Sequence, residues 1–218
     1  MGVRPIIFST PMVRAILDGN KTVTRRVIKP QPWEEPSGNL YFNGNVYWRR
    51  HLESFVFQYA PYRVGDTLWV RETWTEINGG FIHKANPDAL EFFEATHIAA
   101  KWRPSIHMPK AAARIFLRVT DVHVERLQDI TGAGIVCEGL VSGSRREFRF
   151  LWDKLFDRHK PAEAAKYRWI ADPWVWVISF ERCEKPEDVG QAPESGGGDG
   201  LCHRDFHRVV AISAMPPV

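Results

Sequence analysis

The sequence predicts an α+β fold with a small curved sheet or barrel and flanking helices. Three stretches have the residue pattern of β-strands, at residues 67–74, 114–127 and 174–183. Two amphipathic helices lie apart from them, near residues 10–19 and 146–158. Because no repeating strand–helix rhythm connects these elements, we do not expect a doubly wound parallel sheet.

The first helix has clear start and stop residues. Ser9 and Thr10 can cap its N-terminus, and Pro11 suits the first turn, where its missing N–H costs little. Gly19 favours the left-handed conformation that ends a helix. Its predicted apolar face consists of Met12, Val13, Ile16 and Leu17. The basic segment 21–26 is therefore expected just beyond the helix.

The remaining elements follow from hydrophobic periodicity. The second helix is predicted from a core-facing stripe made of Phe148, Leu151, Trp152, Leu155 and Phe156. In the strand at 114–127, the apolar alternation runs to Val119 and resumes at Val122, which predicts a bulge or bend near Asp121. The last strand places Trp174 and Trp176 on one face, where we expect them in the sheet core.

Length and composition limit the alternatives. The chain has 218 residues, with 29 Lys+Arg against 26 Asp+Glu and a net charge of +3. We predict one domain over residues 1–183 and a flexible linker and tail over 184–218, because eight of the residues 186–200 are Gly, Pro or Ser. No apolar run could cross a bilayer, and the start lacks the pattern of a signal peptide. The three cysteines are scattered, so we expect a soluble, cytoplasmic, reduced protein.

The motifs of several large enzyme classes are missing from the sequence. It has no P-loop, no dinucleotide-binding glycine pattern, no G-x-S-x-G elbow and no H-E-x-x-H pair. The eight histidines are scattered without metal-ligand spacing. We therefore expect neither a metal nor a cofactor.

The densest polar cluster spans residues 19–26. Lys21 lies close to Thr24 in sequence and could remove the proton of its hydroxyl if burial or a neighbouring cation lowered the lysine pKa. Arg25 and Arg26 would supply such cations and could bind a phosphate or a carbonyl oxygen. The alternative is that these basic residues only favour the dipole of the preceding helix and face water.

Other residues could contact a ligand. Ser105 and His107 lie between two prolines, which predicts a rigid extended stretch facing a cleft, although such a histidine is more often a packing residue. The tryptophans that could stack on a base are Trp69, Trp74 and Trp102. We interpret Cys137 as a packed thiol, since no histidine is near it in sequence.

Several sequence blocks together resemble the ASCH family. The family signature G-x-K-T-x-T-x-R is matched by Gly19, Lys21, Thr22, Thr24 and Arg26. The blocks TRRVIKPQP, GDTLWVRETW, WRPSIHMP, RVTDVHVERLQDI and PWVWVI are most similar to a prophage-associated branch. The resemblance spans most of residues 4–182 and implies a PUA-like β-barrel with flanking helices. An insertion around residues 33–60 would enlarge or cover the cleft.

The resemblance also implies two kinds of activity. Some small ASCH proteins hydrolyse the amide of N4-acetylcytidine with a lysine, a threonine and a glutamate, which carry over to Lys21, Thr24 and Glu138. Glu72 is a second candidate on charge alone. Gly132 and Gly134 depart from the family pattern and weaken the helix before Glu138, each by about 1 kcal/mol relative to alanine. The alternative for Glu138 is a carboxylate that faces solvent at the helix end.

Two main functional hypotheses result. The first is an amidohydrolase acting on N4-acylcytidine-type nucleosides or related small amides. Its substrate-binding residues would be Arg25, Arg26, Glu72, Trp69, Ser105 and His107. The second is an RNA- or modified-base-binding module in which Lys21, Arg25 and Arg26 contact phosphate. A phage structural or accessory protein is a third possibility. We expect no membrane partner.

Overall fold

The computed structural model describes residues 2–48 and 51–187, which form a mixed α+β fold, as predicted. Most of the predicted tail, residues 188–218, lies outside the described residues. Ten strands lie within the described residues: β1 (Val3–Ile7), β2 (Val23–Val27), β3 (Trp33–Glu34), β4 (Leu40–Phe42), β5 (Asn45–Tyr47), β6 (Thr67–Arg71), β7 (Trp74–Ile77), β8 (Gly80–His83), β9 (Phe116–Arg126) and β10 (Trp174–Cys183). The same residues contain six α-helices: α1 (Thr10–Leu17), α2 (Glu53–Tyr59), α3 (Ala89–Thr96), α4 (Gly132–Cys137), α5 (Arg145–Lys154) and α6 (Pro161–Ala164).

The central sheet has the strand order β1-β6-β9-β10-β2, in which β1 runs parallel to β6 and the other neighbours are antiparallel. The bulge predicted near Asp121 is confirmed. Ser179 pairs with Asp121, whereas the next residue, Phe180, pairs with Val119, so Thr120 is the extra residue. The bulge lets β9 keep apolar side chains toward the core on both sides of this point.

The sheets do not close into a barrel, so this part of the expectation is wrong. Strands β1 and β2 are the two edges of the five-stranded sheet and share no backbone ladder. Two side chains bind the carbonyls of β1 instead: Arg26 Nη2 donates to Ile7 O at 2.7 Å, and the Tyr62 hydroxyl donates to Pro5 O at 2.9 Å. Pro5 also has no N–H to donate to a neighbouring strand. The sheet therefore curves until its edges are close, and a side chain rather than a ladder joins them.

Both faces of β10 are covered, which explains its nearly continuous apolar sequence. Trp174 and Trp176 belong to the core layer that also contains α1 and α2, as the alternation predicts. Val175 and Val177 face the opposite layer, which is formed largely by α4, α5 and α6. The sheet thus separates two cores. Successive side chains along β2 face these two cores alternately.

The first helix has the predicted boundaries. Ser9 is the N-cap residue, Pro11 lies in the first turn, and Gly19 adopts a positive φ of 75° just beyond the end. The helix α5 begins near the predicted residue but ends at Lys154 rather than near residue 158. Leu155, which the stripe assigned to the core, is 63% exposed. The difference arises because tight turns, rather than helix, continue the chain to the buried Phe156.

The insertion at residues 33–60 forms a three-stranded sheet, β3-β4-β5, followed by α2. Phe55 of α2 is fully buried, and its ring stacks on Trp176 with the centroids 5.3 Å apart. The segment is therefore part of the main core. Within the described residues, no helix is both long enough and apolar enough to cross a membrane.

Candidate functional site

The turn after α1 directs Lys21 into the protein. The backbone N–H groups of Asn20 and Lys21 both donate to Ala15 O at 2.9 Å, so the chain folds back at the helix end. Lys21 then forms an isolated antiparallel bridge with Glu138, and Thr22 N donates to Cys137 O at 2.9 Å. These bonds attach the basic segment to the C-terminal end of α4.

The side chains of Lys21 and Glu138 form a buried ion pair. Lys21 Nζ lies 2.6 Å from Glu138 Oε2, and the two side chains are 2% and 9% exposed. Nζ also donates to Glu138 O at 3.0 Å and to Val23 O at 2.7 Å, which occupies all three ammonium protons. The alternatives in which Lys21 and Glu138 face solvent are therefore wrong.

Two glycines allow this close approach. Gly139 has a φ of 93°, and a Cβ placed there would lie 2.8 Å from Ala15 Cβ and 3.2 Å from Lys21 Cβ. A Cβ on Gly134 would lie 3.3 Å from Arg25 Nη2. The Thr131 side chain caps α4 by accepting from Gly134 N at 3.0 Å. Gly134 and Gly139 therefore make room for the cations that hold Glu138.

Arg25 connects two carboxylates. Its Nη1 lies 3.2 Å from Glu138 Oε1, and its Nε lies 2.7 Å from Glu125 Oε1. Glu125 is a residue that sequence reasoning missed. Glu125 belongs to β9, and β10 lies between β9 and the strand of Arg25. On β10, Val175 pairs with Glu125 and Val177 pairs with Arg25. Only the order of strands in the sheet reveals this contact.

Thr24 and Arg26 lie on the opposite face of β2 from Arg25, because side chains alternate along a strand. Thr24 is 4% exposed and pairs with Ile178. Among the described residues, no hydrogen bond joins its hydroxyl to Lys21 Nζ; the ammonium instead binds the carbonyl of Val23, in the peptide unit that leads to Thr24. The structure thus places Thr24 next to this contact without a direct bond to Lys21.

Phe8, another residue that sequence reasoning missed, lies between the two cations. Lys21 Nζ is 5.6 Å and Arg26 Cζ is 5.4 Å from the centre of its ring. Both contacts are within the range of cation–π attraction. Phe8 follows β1 directly, so the ring joins the edge of the sheet to the ion pair.

Burial is the main influence on Lys21. It lowers the lysine pKa, while the charge of Glu138 and its hydrogen bond act in the opposite direction and Arg26 and Arg25 add a further lowering. Burial also lowers the pKa of Arg26 from its usual value, with a smaller opposing effect from Tyr62 and Glu138. The lowered pKa makes the neutral amine of Lys21 more accessible than that of a lysine in water.

A cleft opens between the two edges of the central sheet. Its volume is about 530 Å³, within the range of about 300–1,000 Å³ that is typical of small-molecule sites. The residues that line it include Arg26, Tyr59 and Tyr62. Through Arg26 and Phe8 the cleft adjoins the Lys21–Glu138 pair.

The structure does not join Glu72 to this pair by any contact. Glu72 is 1% exposed, and Arg114 binds both of its carboxylate oxygens, with Nε 2.9 Å from Oε1 and Nη2 3.1 Å from Oε2. Both of its carboxylate oxygens are therefore paired with Arg114, and its binding of substrate stays a prediction. It occupies the turn between β6 and β7, where the predicted continuous strand 67–74 is interrupted.

Ser105 and His107 lie in a short 3₁₀ turn, Ser105–His107, which corrects the expectation of an extended stretch. Both ends of this turn are hydrogen-bonded locally, since His107 N donates to Pro104 O and Met108 N to Ser105 O. His107 is exposed and Ser105 is half-buried. Arg71 Nη2 donates to Ile106 O, so the turn is attached to the end of β6.

The predicted stacking residues are dispersed. Trp74 is 3% exposed and packs with the half-buried Trp69 in a third core, so neither offers an open face like that of a base-binding platform. Trp102 is half-buried against Phe93. Cys137 is half-buried and free of a disulfide. Among residues 2–48 and 51–187, no group of three or more His, Cys, Asp or Glu side chains could hold a metal ion.

Comparisons with known proteins add one structure. No protein-family model matches the chain, and no curated protein matches it. The chain is similar to a crystallised ASCH domain from Lactobacillus crispatus JV V101, with 13% sequence identity, a TM-score of 0.42, and coverage of 83% of this chain and 79% of that one. A likeness at this level does not establish a shared fold, so the function proposed below is supported by the geometry of this chain.

Proposed function

We propose that the chain is an amidohydrolase that removes the acyl group from an N4-acylated cytosine nucleoside or a related small amide. The observation that carries the proposal is the buried contact of 2.6 Å between Lys21 Nζ and Glu138 Oε2, directly beside the strand that holds Thr24. A buried lysine with a lowered pKa, fixed by a carboxylate, is the environment that general-base catalysis requires. These are also the three residues that the ASCH resemblance assigns to the reaction.

The reaction has two stages. The Thr24 hydroxyl attacks the acyl carbonyl while the neutral amine of Lys21 takes its proton. The C–N bond breaks, the proton on Lys21 passes to the leaving exocyclic nitrogen of cytosine, and the acyl group stays on Thr24 as an ester. Water then attacks the ester with Lys21 again as the base, which releases the carboxylic acid and restores Thr24.

Each supporting residue has a role that its contacts allow. Lys21 Nζ exchanges its bond to Val23 O for one to the Thr24 hydroxyl, since a base must come within about 3 Å of the proton it removes. Catalytic hydrogen bonds often tighten only when the substrate is bound. Glu138 keeps Nζ in place, and backbone N–H groups stabilise the negative charge that develops on the carbonyl oxygen.

The test is the loss of N4-acetylcytidine absorbance, measured with the wild type, Lys21→Met, Thr24→Val, Thr24→Ser and Glu138→Gln. Lys154→Met is the matched control, because Lys154 is exposed at the end of α5. We expect turnover by the wild type, Thr24→Ser and Lys154→Met, and none by the other three variants at equal folded fraction. Full activity in folded Lys21→Met and Thr24→Val would contradict the proposal.

A second function is favoured by the cleft rather than by the ion pair. Three cationic side chains, Arg26, Lys29 and Arg71, line the same cleft as three aromatic rings, which is the composition of a surface that binds RNA or a modified base. Binding through several phosphates weakens steeply with salt, with a slope of about 0.7 per phosphate for single strands. A titration with single-stranded RNA at increasing salt tests it, and a flat response excludes it.

A further inference from the structure

The cleft between the edges of the central sheet is positively charged. Its lining includes Arg26, Lys29 and Arg71 and, within the part of the chain that the structure describes, contains no acidic side chain. Tyr62 also lines it, and burial raises the pKa of this phenol, so the ring stays neutral near neutral pH. The lining therefore favours an anion by charge, and no carboxylate competes for the three cations from within it.

Arg71 has a donor that is not used. Its Nε is buried and has no hydrogen-bond partner among the described residues. Its Nη2 donates to Ile106 O, and its guanidinium lies over the Trp69 ring, 5.5 Å from the centre, so the group is held in one orientation. A buried N–H without a partner costs free energy unless a ligand accepts its hydrogen bond. Phosphate oxygens match the planar donors of arginine well.

Arg26 is fixed from the opposite edge of the cleft. One of its terminal nitrogens, Nη2, donates to Ile7 O at 2.7 Å, and its guanidinium lies on Phe8. Lys29 packs with its Nζ 4.6 Å from the centre of the Tyr167 ring. The three cations therefore come from different segments of the chain and are positioned by separate contacts.

The rest of the lining is aromatic or apolar. Tyr59, Tyr62 and Trp176 line the cleft, and each is held by one contact. The Tyr59 hydroxyl accepts a hydrogen bond from the Tyr47 hydroxyl, and the Tyr62 hydroxyl donates one to Pro5 O. The Trp176 ring stacks on the Phe55 ring. Rigid rings beside a cationic group fit a planar base joined to a phosphate. A volume of about 530 Å³ suits one such unit better than a long polymer.

We propose that this cleft binds a nucleoside monophosphate, with Arg71 and Arg26 as the phosphate ligands and the aromatic side chains against the base. The inference rests on the proposed function and specifies its substrate: an acylated nucleotide rather than a free nucleoside. Phe8 supplies the connection, because its ring contacts both Arg26 and the Lys21 ammonium.

The test is calorimetric titration of the full chain with cytidine monophosphate, cytidine and inorganic phosphate. We expect the monophosphate to bind at least about tenfold more tightly than cytidine, and phosphate to compete with it. In Arg71→Gln this preference falls to near one, which a general loss of folding would not produce. Arg149→Gln keeps the preference, because Arg149 is exposed on α5, which packs against the other face of the sheet.

Equal binding of the monophosphate and cytidine by the wild type, or an unchanged preference in Arg71→Gln, would overturn the inference. Much tighter binding of a single-stranded oligonucleotide than of the monophosphate would overturn it in favour of RNA. Hydrolysis of N4-acetylcytidine is measured separately. A phosphate preference without hydrolysis refutes the proposed function alone, and hydrolysis without the preference refutes this inference alone.

Discussion

Lys21 and Glu138 form an ion pair, 2.6 Å between Nζ and Oε2, that joins the turn after α1 to the residue directly after α4. Both residues are buried. If one charge is removed, water therefore cannot take its place beside the other. A pair of this kind specifies how the two segments meet. It also makes each residue dependent on its partner.

Removing one member of the pair should destabilise the fold. We expect Lys21→Met or Glu138→Gln to lower the free energy of unfolding by about 3–5 kcal/mol, because the buried residue that remains loses its closest opposite charge. The double variant Lys21→Met/Glu138→Gln should lose much less than the sum of the two single losses. Urea denaturation of the four proteins measures the coupling, and additive losses would show that the two charges do not interact. The double variant should remain inactive, which separates catalysis from stability.

The lowered pKa of Lys21 predicts a pH dependence of stability. The unfolded chain binds a proton on this lysine up to about its usual pKa of 10.5, whereas the folded chain loses it at a lower pH. Between the folded pKa and 10.5, the unfolded state therefore holds more protons, and the contribution of Lys21 to stability rises with pH. In chemical denaturation across alkaline pH, the stability of the wild type and Lys154→Met should therefore increase with pH relative to that of Lys21→Met.

Gly139 should not tolerate a side chain. Its positive φ of 93° is unfavourable for other residues, and a Cβ would lie 2.8 Å from Ala15 Cβ. We expect Gly139→Ala to cost about 1–3 kcal/mol of stability and to reduce activity by moving Glu138 away from Lys21. Gly132→Ala is the matched control, because a Cβ there meets nothing within 4 Å and its φ is not positive. Equal thermal stability of the two variants would contradict this account.

Arg25 should act as a positioning residue. Its Nε and Nη1 bind Glu125 and Glu138 at once, which a lysine ammonium on a flexible stem cannot reproduce. We expect Arg25→Lys to lower kcat by up to about 100-fold with little change in KM, because Glu138 is less well aligned. Glu125→Gln should have a smaller effect in the same direction. If KM rises while kcat is unchanged, Arg25 contacts the substrate instead.

Local patterns were sufficient for much of the fold. Ser9 is the N-cap residue of α1 but makes no side-chain capping bond, so Pro11 in the first turn and Gly19 beyond the end are the residues that mark its limits, because each acts on its own stretch of backbone. The alternation around Trp174 and Trp176 predicts a strand with these side chains in a core, and the break near Asp121 predicts the bulge. Such features depend on neighbours in sequence, so the sequence alone determined them.

Contacts between distant residues needed the tertiary structure. The sequence does not show that β1 and β2 end as the two edges of one sheet, with Arg26 joined to Ile7 instead of a closed ladder. Nor does it show that the Arg114 guanidinium binds the Glu72 carboxylate. Lys21 and Glu138 are 117 positions apart, and which charges meet depends on the order of strands between them. The sequence alone determined which reactive residue types are present. The order of the strands, and the face on which each side chain lies, decided which of them are close together. The reason is that a side chain's partner in a sheet is set by register and not by distance along the chain.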